Sequence, residues 1–171
     1  PWDAKDHVET MWREWDFAPV TYERERTFNL FAKIEDHAND VHDYLKYLKF
    51  GYGRATDDAS MEIRHGRMTR EEGIEMVRRY DAREPESLDY YCDFLGISSE
   101  QFYALVEPMR DLSIWEKSNG AWRVKDSVER HAITQREDAA RVDQVEQRIL
   151  GSANRELYFN PANPPLPSGD P

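Results

Sequence analysis

The chain is poor in the features that most readily place a protein. A single cysteine, Cys92, among 171 residues excludes an internal disulfide framework and any cysteine-rich zinc site. No zinc is expected. No apolar run approaches the ~20 residues of a membrane-spanning helix. The first residues, Pro1-Trp2-Asp3-Ala4-Lys5-Asp6, lack the basic and apolar regions of a signal peptide. The expectation is therefore a soluble, cytoplasmic protein with no membrane partner. Basic charge is scarce overall: 23 Lys and Arg stand against 34 Asp and Glu, a net charge of −11. That balance argues against nucleic acid as the main partner. What remains is 39% hydrophobic and 12% aromatic, which is material enough for a folded core.

The pattern is mainly α: about six helices, with a small hairpin expected near 113–125 and an extended, Pro-rich C-terminal tail. Val8, Met11, Trp12 and Trp15 form one apolar stripe on a first helix. From Thr27, spacings of three and four run through Leu30, Ile34, Ala38, Val41, Leu45 and Leu48 and predict a helix of about six turns. Phe50-Gly51-Tyr52-Gly53 ends it. Thr56 or Asp57 is expected to cap a short helix that Gly66 terminates. Thr69 with Glu72, and Ser98 with Gln101, read as capping boxes. Pro85 introduces a helix that Gly96 closes, and Pro108 ends or kinks the one after it. Trp115 and Trp122 flank Ser118-Asn119-Gly120, a hairpin turn signal. Thr134 could cap a last helix with Val142, Val145 and Ile149, and five of the nine prolines follow Gly151. The division expected is a helical domain over 1–126, an additional helix over 127–150 and an extended or disordered tail over 151–171.

Charge singles out one stretch. Tyr44–Arg70 holds six bases against three acids. Basic residues around a glycine turn, in an acidic chain, make a candidate phosphate or substrate site. Its members are Lys46, Lys49, Gly51, Gly53, Arg54, Arg64, His65, Arg67 and Arg70. The glycines would bring backbone N–H groups to an oxyanion, and Arg54 would add a planar fork. Clustered bases are as often a solvated face, or partners for Asp57, Asp58 and Glu62. No phosphate-loop or dinucleotide fingerprint is present. His37 and His42, five apart, do not share a helix face. Cys92 reads as a buried structural thiol rather than a nucleophile.

The stretch Asp43-Tyr44-Leu45-Lys46-Tyr47-Leu48-Lys49-Phe50-Gly51-Tyr52-Gly53-Arg54-Ala55-Thr56-Asp57-Asp58, with Glu62-Ile63-Arg64-His65-Gly66-Arg67-Met68-Thr69-Arg70, resembles the C-terminal part of the N-acetyl sugar amidotransferases. The resemblance extends over about residues 1–126, through Phe94-Leu95-Gly96-Ile97-Ser98 to Ile114-Trp115-Glu116. It implies lipopolysaccharide or nonulosonic acid biosynthesis and an ATP-dependent conversion of the N-acetyl group of a nucleotide-linked sugar to an acetamidino group. It implies a PP-loop ATPase domain or subunit, a glutaminase subunit that supplies ammonia, and ATP with Mg²⁺. Lys46, Lys49, Arg54 and Arg64 match basic positions of the family, and Asp57 and Asp58 are weaker candidates for Mg²⁺. The family's Ser-Gly-Gly-x-Asp-Ser type motif does not occur in this chain. The chain alone is thus expected to be inactive, a component rather than a whole enzyme. The rival expectation is a non-enzymatic helical module that docks a larger complex through its tail. A nucleotide- or RNA-phosphate-binding domain is a third.

Overall fold

The structure, a computed structural model, describes residues 3–131. Six α-helices and one hairpin occupy them: α1 Ala4–Trp15, α2 Ala38–Phe50, α3 Arg54–Arg64, α4 Arg70–Tyr80, α5 Ser87–Leu95, α6 Ser99–Val106, then β1 Trp115–Ser118 and β2 Ala121–Val124. A 3-10 turn, Glu107–Met109, carries Pro108 and follows α6, and another, Val128–His131, follows the hairpin. The fold is mainly α, as the sequence predicts. The expected helix from Thr134 and the Pro-rich tail lie outside the described residues.

Local signals explain most of the boundaries. Thr69 and Ser98 accept from the amides of Glu72 and Gln101, and both reciprocal bonds close, so both capping boxes form. Gly51 and Gly96 end α2 and α5 at φ 73° and 69°, a left-handed geometry that a Cβ disfavours. Asn119 and Gly120 have φ 51° and 82°, the paired positive angles of a tight two-residue hairpin turn. Trp115 pairs with Val124 and Lys117 with Trp122 across it.

Two expectations fail, and a third element forms as expected but stays at the surface. The long helix from Thr27 starts at Ala38 instead. Before it, the Arg24 guanidinium gathers the carbonyls of Asn29 (3.3 Å), Ala32 and Lys33 (3.1 Å), and Asn29 Oδ1 accepts from the amides of Phe31 and Ala32. These side-chain bonds outcompete helix formation. The stripe on α1 is a helix face, but α1 has no buried residue and Trp15 is 70% exposed. Finally, neither Thr56 nor Asp57 caps α3. It starts at Arg54 with Gly53 as N-cap, and the capping group is Asp81, twenty-eight positions from Gly53 in the chain.

Two buried clusters sit side by side. One joins Phe28 to α3 and α4 through Ala55, Ala59, Met68, Met76 and Tyr80. Gly73 lets the two helices approach; a Cβ there would lie 2.8 Å from Ile63 Cδ1. The other joins α2, α5 and α6 through Val41, Tyr44, Leu48, Leu88, Cys92, Phe102 and Val106. Arg26 stands between them, fully buried. It donates to the carbonyls of Tyr80 (3.0 Å), Asp81 (2.7 Å), Asp43 (3.5 Å) and Arg83, and its guanidinium lies 5.0 Å from the Tyr44 ring centre.

Candidate functional site

The predicted basic residues do not converge. α3 rises about 15 Å along its axis at 1.5 Å per residue, and the bases fall at its two ends. At the N-terminal end Lys46 pairs with Asp57, and Arg54 Nε lies 3.1 Å from Asp58 Oδ2. Lys49 stands 4.9 Å from the Phe50 ring centre. At the C-terminal end Arg67 bridges Glu62 (2.6 Å) and Asp3 (2.6 Å), and His65 Nδ1 lies 3.2 Å from Asp3. Arg67 holds the Asp3 carboxyl below its usual range, and its bond to Glu62 raises its own pKa. Arg64 donates to Ser60 O at 3.1 Å, and Arg70 is exposed at the start of α4.

The anion that the glycine turn was expected to receive is internal. Asp81 accepts from the Gly53 amide (2.7 Å), the Thr56 amide (3.2 Å) and the Thr56 hydroxyl (2.5 Å). The first-turn amides of α3 therefore point at a protein carboxylate, 3% exposed. Gly53 has φ −114°, so its requirement is space: a Cβ would lie 2.7 Å from Asp81 Oδ1. Asp57 and Asp58 face different partners. Asp58 is buried against Arg54 and the Thr27 hydroxyl (2.5 Å), and burial pushes its pKa up. Among the described residues no group of three His, Cys, Asp or Glu could hold a metal. Asp57 pairs with Lys46 and Asp58 with Arg54, so the two carboxylates face different cations.

A cleft of about 880 Å³ opens beside this hub. Its walls are the end of α2 with the Gly51 turn, the end of α4, strand β2 and residues 126–130. Tyr47, Tyr52 and Trp122 give it aromatic faces, and Thr56 and Asp81 give it polar ones. Of the predicted site residues only Gly51 lines it. Gly51 also fixes how the hairpin seats, since a Cβ there would lie 2.8 Å from Ile114 Cγ2. Tyr47 meets Trp115 edge to face at 5.3 Å, and burial beside the Asp81 carboxylate pushes its phenol up to about 12. The phenol therefore stays protonated, a neutral hydrogen-bond donor. The cleft's cations are engaged: Arg78 with Glu75 and Glu129 (3.6 Å), Arg123 with Glu116 (2.7 Å), and Arg130 with the Lys125 carbonyl. Tyr47, Tyr52 and Trp122 were the side chains that charge counting passed over. All sit in or opposite the motif block, and only the pairing of hairpin and turn brings them together.

Cys92 is buried with its thiol pKa raised by burial, which suits packing rather than nucleophilic attack. His37 and His42 flank the start of α2; His42 Nδ1 lies 3.6 Å from Asp43 Oδ1.

Residues 25–129, which include the turn, both buried clusters and every cleft residue but Arg130, match the family described as LPS biosynthesis protein WbpG-like, C-terminal domain. The chain belongs to this family, and with it to lipopolysaccharide biosynthesis. The match leaves out residues 1–24, which the resemblance to sugar amidotransferases had included. No curated protein matches the chain. Among the described residues no helix is long and apolar enough to cross a membrane.

Proposed function

We propose that this chain is the substrate-side portion of an ATP-dependent amidotransferase, one that converts the N-acetyl group of a nucleotide-linked sugar to an acetamidino group. The observation that carries the reading is the cleft. It is large enough for a ligand of several hundred daltons, and it is built from the same 47–56 segment that carries the family resemblance. Its aromatic faces suit stacking with a base or a sugar ring, and its neutral phenol suits a hydrogen bond to a sugar oxygen. ATP and Mg²⁺ fall to a PP-loop partner in this reading, because the α3 amides and the 57–58 carboxylates are already engaged. Ammonia comes from a glutaminase partner. The part played by this chain is orientation: it holds the acetamido group where a partner's chemistry reaches it.

The test has two arms. The full chain is titrated calorimetrically with a nucleoside-diphosphate-linked N-acetyl sugar, then with Tyr52→Ala and Trp122→Ala in place. Loss of about tenfold in affinity for either variant is expected, as for removal of one stacking contact. ATP–pyrophosphate exchange is then measured with and without a separately supplied PP-loop protein. Exchange by the isolated chain, or sugar binding indifferent to both variants, would overturn the reading.

A further inference from the structure

The α2–α5–α6 half presents two surfaces that share only Phe50 with the cleft, and they complement each other. The first is a groove of about 410 Å³ between α2 and the end of α6. Its floor is Leu45, Leu48, Val106 and Met109, and Met109 is 60% exposed. Its rim carries Lys46, Lys49 and His42, and no acid lines it, although the chain's net charge is −11. Lys49 has no carboxylate partner among the described residues.

The second surface is the outer face of α5. Leu88 and Cys92 turn inward to the core. Tyr90 and Phe94, one turn apart, turn outward, 70% and 80% exposed. Asp89 and Asp93 stand beside them, and α5 contains no base. The result is an aromatic ridge with an acidic edge. A copy cannot place this ridge in its own groove, because the opposite face of α5 is packed against its own α2 and α6.

From this complementarity we infer that a second copy of the chain is the occupant: the Tyr90–Phe94 ridge of one molecule seats in the Leu45–Met109 groove of another. Two-fold symmetry makes the contact twice, groove to ridge and ridge to groove. The aromatic anchors supply apolar burial, and Asp89 and Asp93 meet Lys49 and its neighbours at the rim. The inference is independent of the cleft, since neither Phe94 nor Lys49 lines it.

Sedimentation velocity on the full 171-residue chain tests it, at protein concentrations from about 1 to 200 μM and at low and high salt, a range suited to an interface of roughly 1,000 Å². A concentration-dependent dimer that salt weakens is expected. Phe94→Ala, at an exposed site, should weaken it at least about tenfold with the melting temperature unchanged. Lys49→Glu and Asp93→Lys should each weaken it about tenfold at low salt, and the double variant should recover to within about threefold of the parent. A monomer throughout, a dimer indifferent to Phe94→Ala, or a double variant no tighter than the singles would each overturn the inference.

Discussion

The two buried clusters of this small fold are held by different physics. Between α2, α5 and α6 the contacts are mainly apolar, with one hydrogen bond between the Tyr44 and Tyr103 hydroxyls (3.2 Å), and the sulfur of Cys92 behaves as one more hydrophobe. Between Phe28, α3 and α4 the apolar set is thinner, and polar side chains, Arg26, Thr27, Asp58, Asp81 and Glu72 among them, are buried beside it; four of these bind across the fold, Arg26, Thr27, Asp58 and Asp81. Each of these four has partners: four carbonyls for Arg26, a carboxylate for Thr27, a guanidinium for Asp58, three donors for Asp81, while Arg26 Nε and the Tyr80 hydroxyl have none among the described residues. Apolar packing tolerates changes of shape that keep volume; a hydrogen-bonded polar network tolerates few, because each lost partner strands another buried group. The cleft opens on the polar half, where geometry is most tightly specified. The groove and ridge lie on the apolar half.

Urea unfolding of paired variants would break or sharpen this contrast. Arg26→Met should have the largest effect, about 3–5 kcal/mol, because it leaves three buried carbonyls and the half-buried one of Arg83 without this donor despite similar volume. Phe102→Ala in the apolar half should cost about 3 kcal/mol, and Phe102→Leu should recover most of it. If Arg26→Met were no worse than Phe102→Leu, the polar half would owe its stability to packing after all. Next in size, Gly53→Ala should cost about 1–2 kcal/mol, as expected for displacing a helix cap, and should quench or shift ligand binding in the adjoining cleft.

The smallest effect concerns pH. Burial raises the Asp58 pKa above its ordinary 3.8, so the native state binds this proton at a higher pH than the unfolded chain does. The stability linked to Asp58 is thus fully present below 3.8 and is lost as pH rises through the folded-state value. Glu25 and Asp40 shift the same way, so the contribution must be isolated by difference. Subtracting the unfolding profile of Asp58→Asn from that of the parent should leave a component that falls with rising pH; a difference that rises would sink the assignment. A substitution in the apolar half should leave the pH profile parallel to the parent's.

What could be read in advance divides along the same line. The capping boxes at Thr69 and Ser98, the glycine stops at 51 and 96 and the Asn119-Gly120 turn are local, and each follows from residues within a few positions. The helix start at Ala38 was hidden because Leu30, Ile34 and Ala38 carry helical spacing, while the Arg24 and Asn29 side chains capture the same backbone. The cap of α3 was hidden because Asp81 comes from the far end of α4. The basic residues of 44–70 cluster in sequence, yet they fall at opposite ends of α3, and carboxylates pair with three of the six, Lys46, Arg54 and Arg67. The cleft aromatics were hidden because Trp122 comes to line the same cleft as Tyr47 and Tyr52 only through the hairpin's return.

The Asp81 cap also sets the order in which this half can come apart. α3 and α4 are joined by the 65–69 turn at one end and by the Asp81 carboxylate at the other, so the pair forms a closed circuit. Neither helix can fray at that end alone: releasing the Gly53 and Thr56 amides means releasing the end of α4, and with it the carbonyls that Arg26 holds. Deuterium uptake at those two amides should therefore keep pace with uptake at Asp81, whose amide is bonded within α4, and lag well behind uptake along exposed α1.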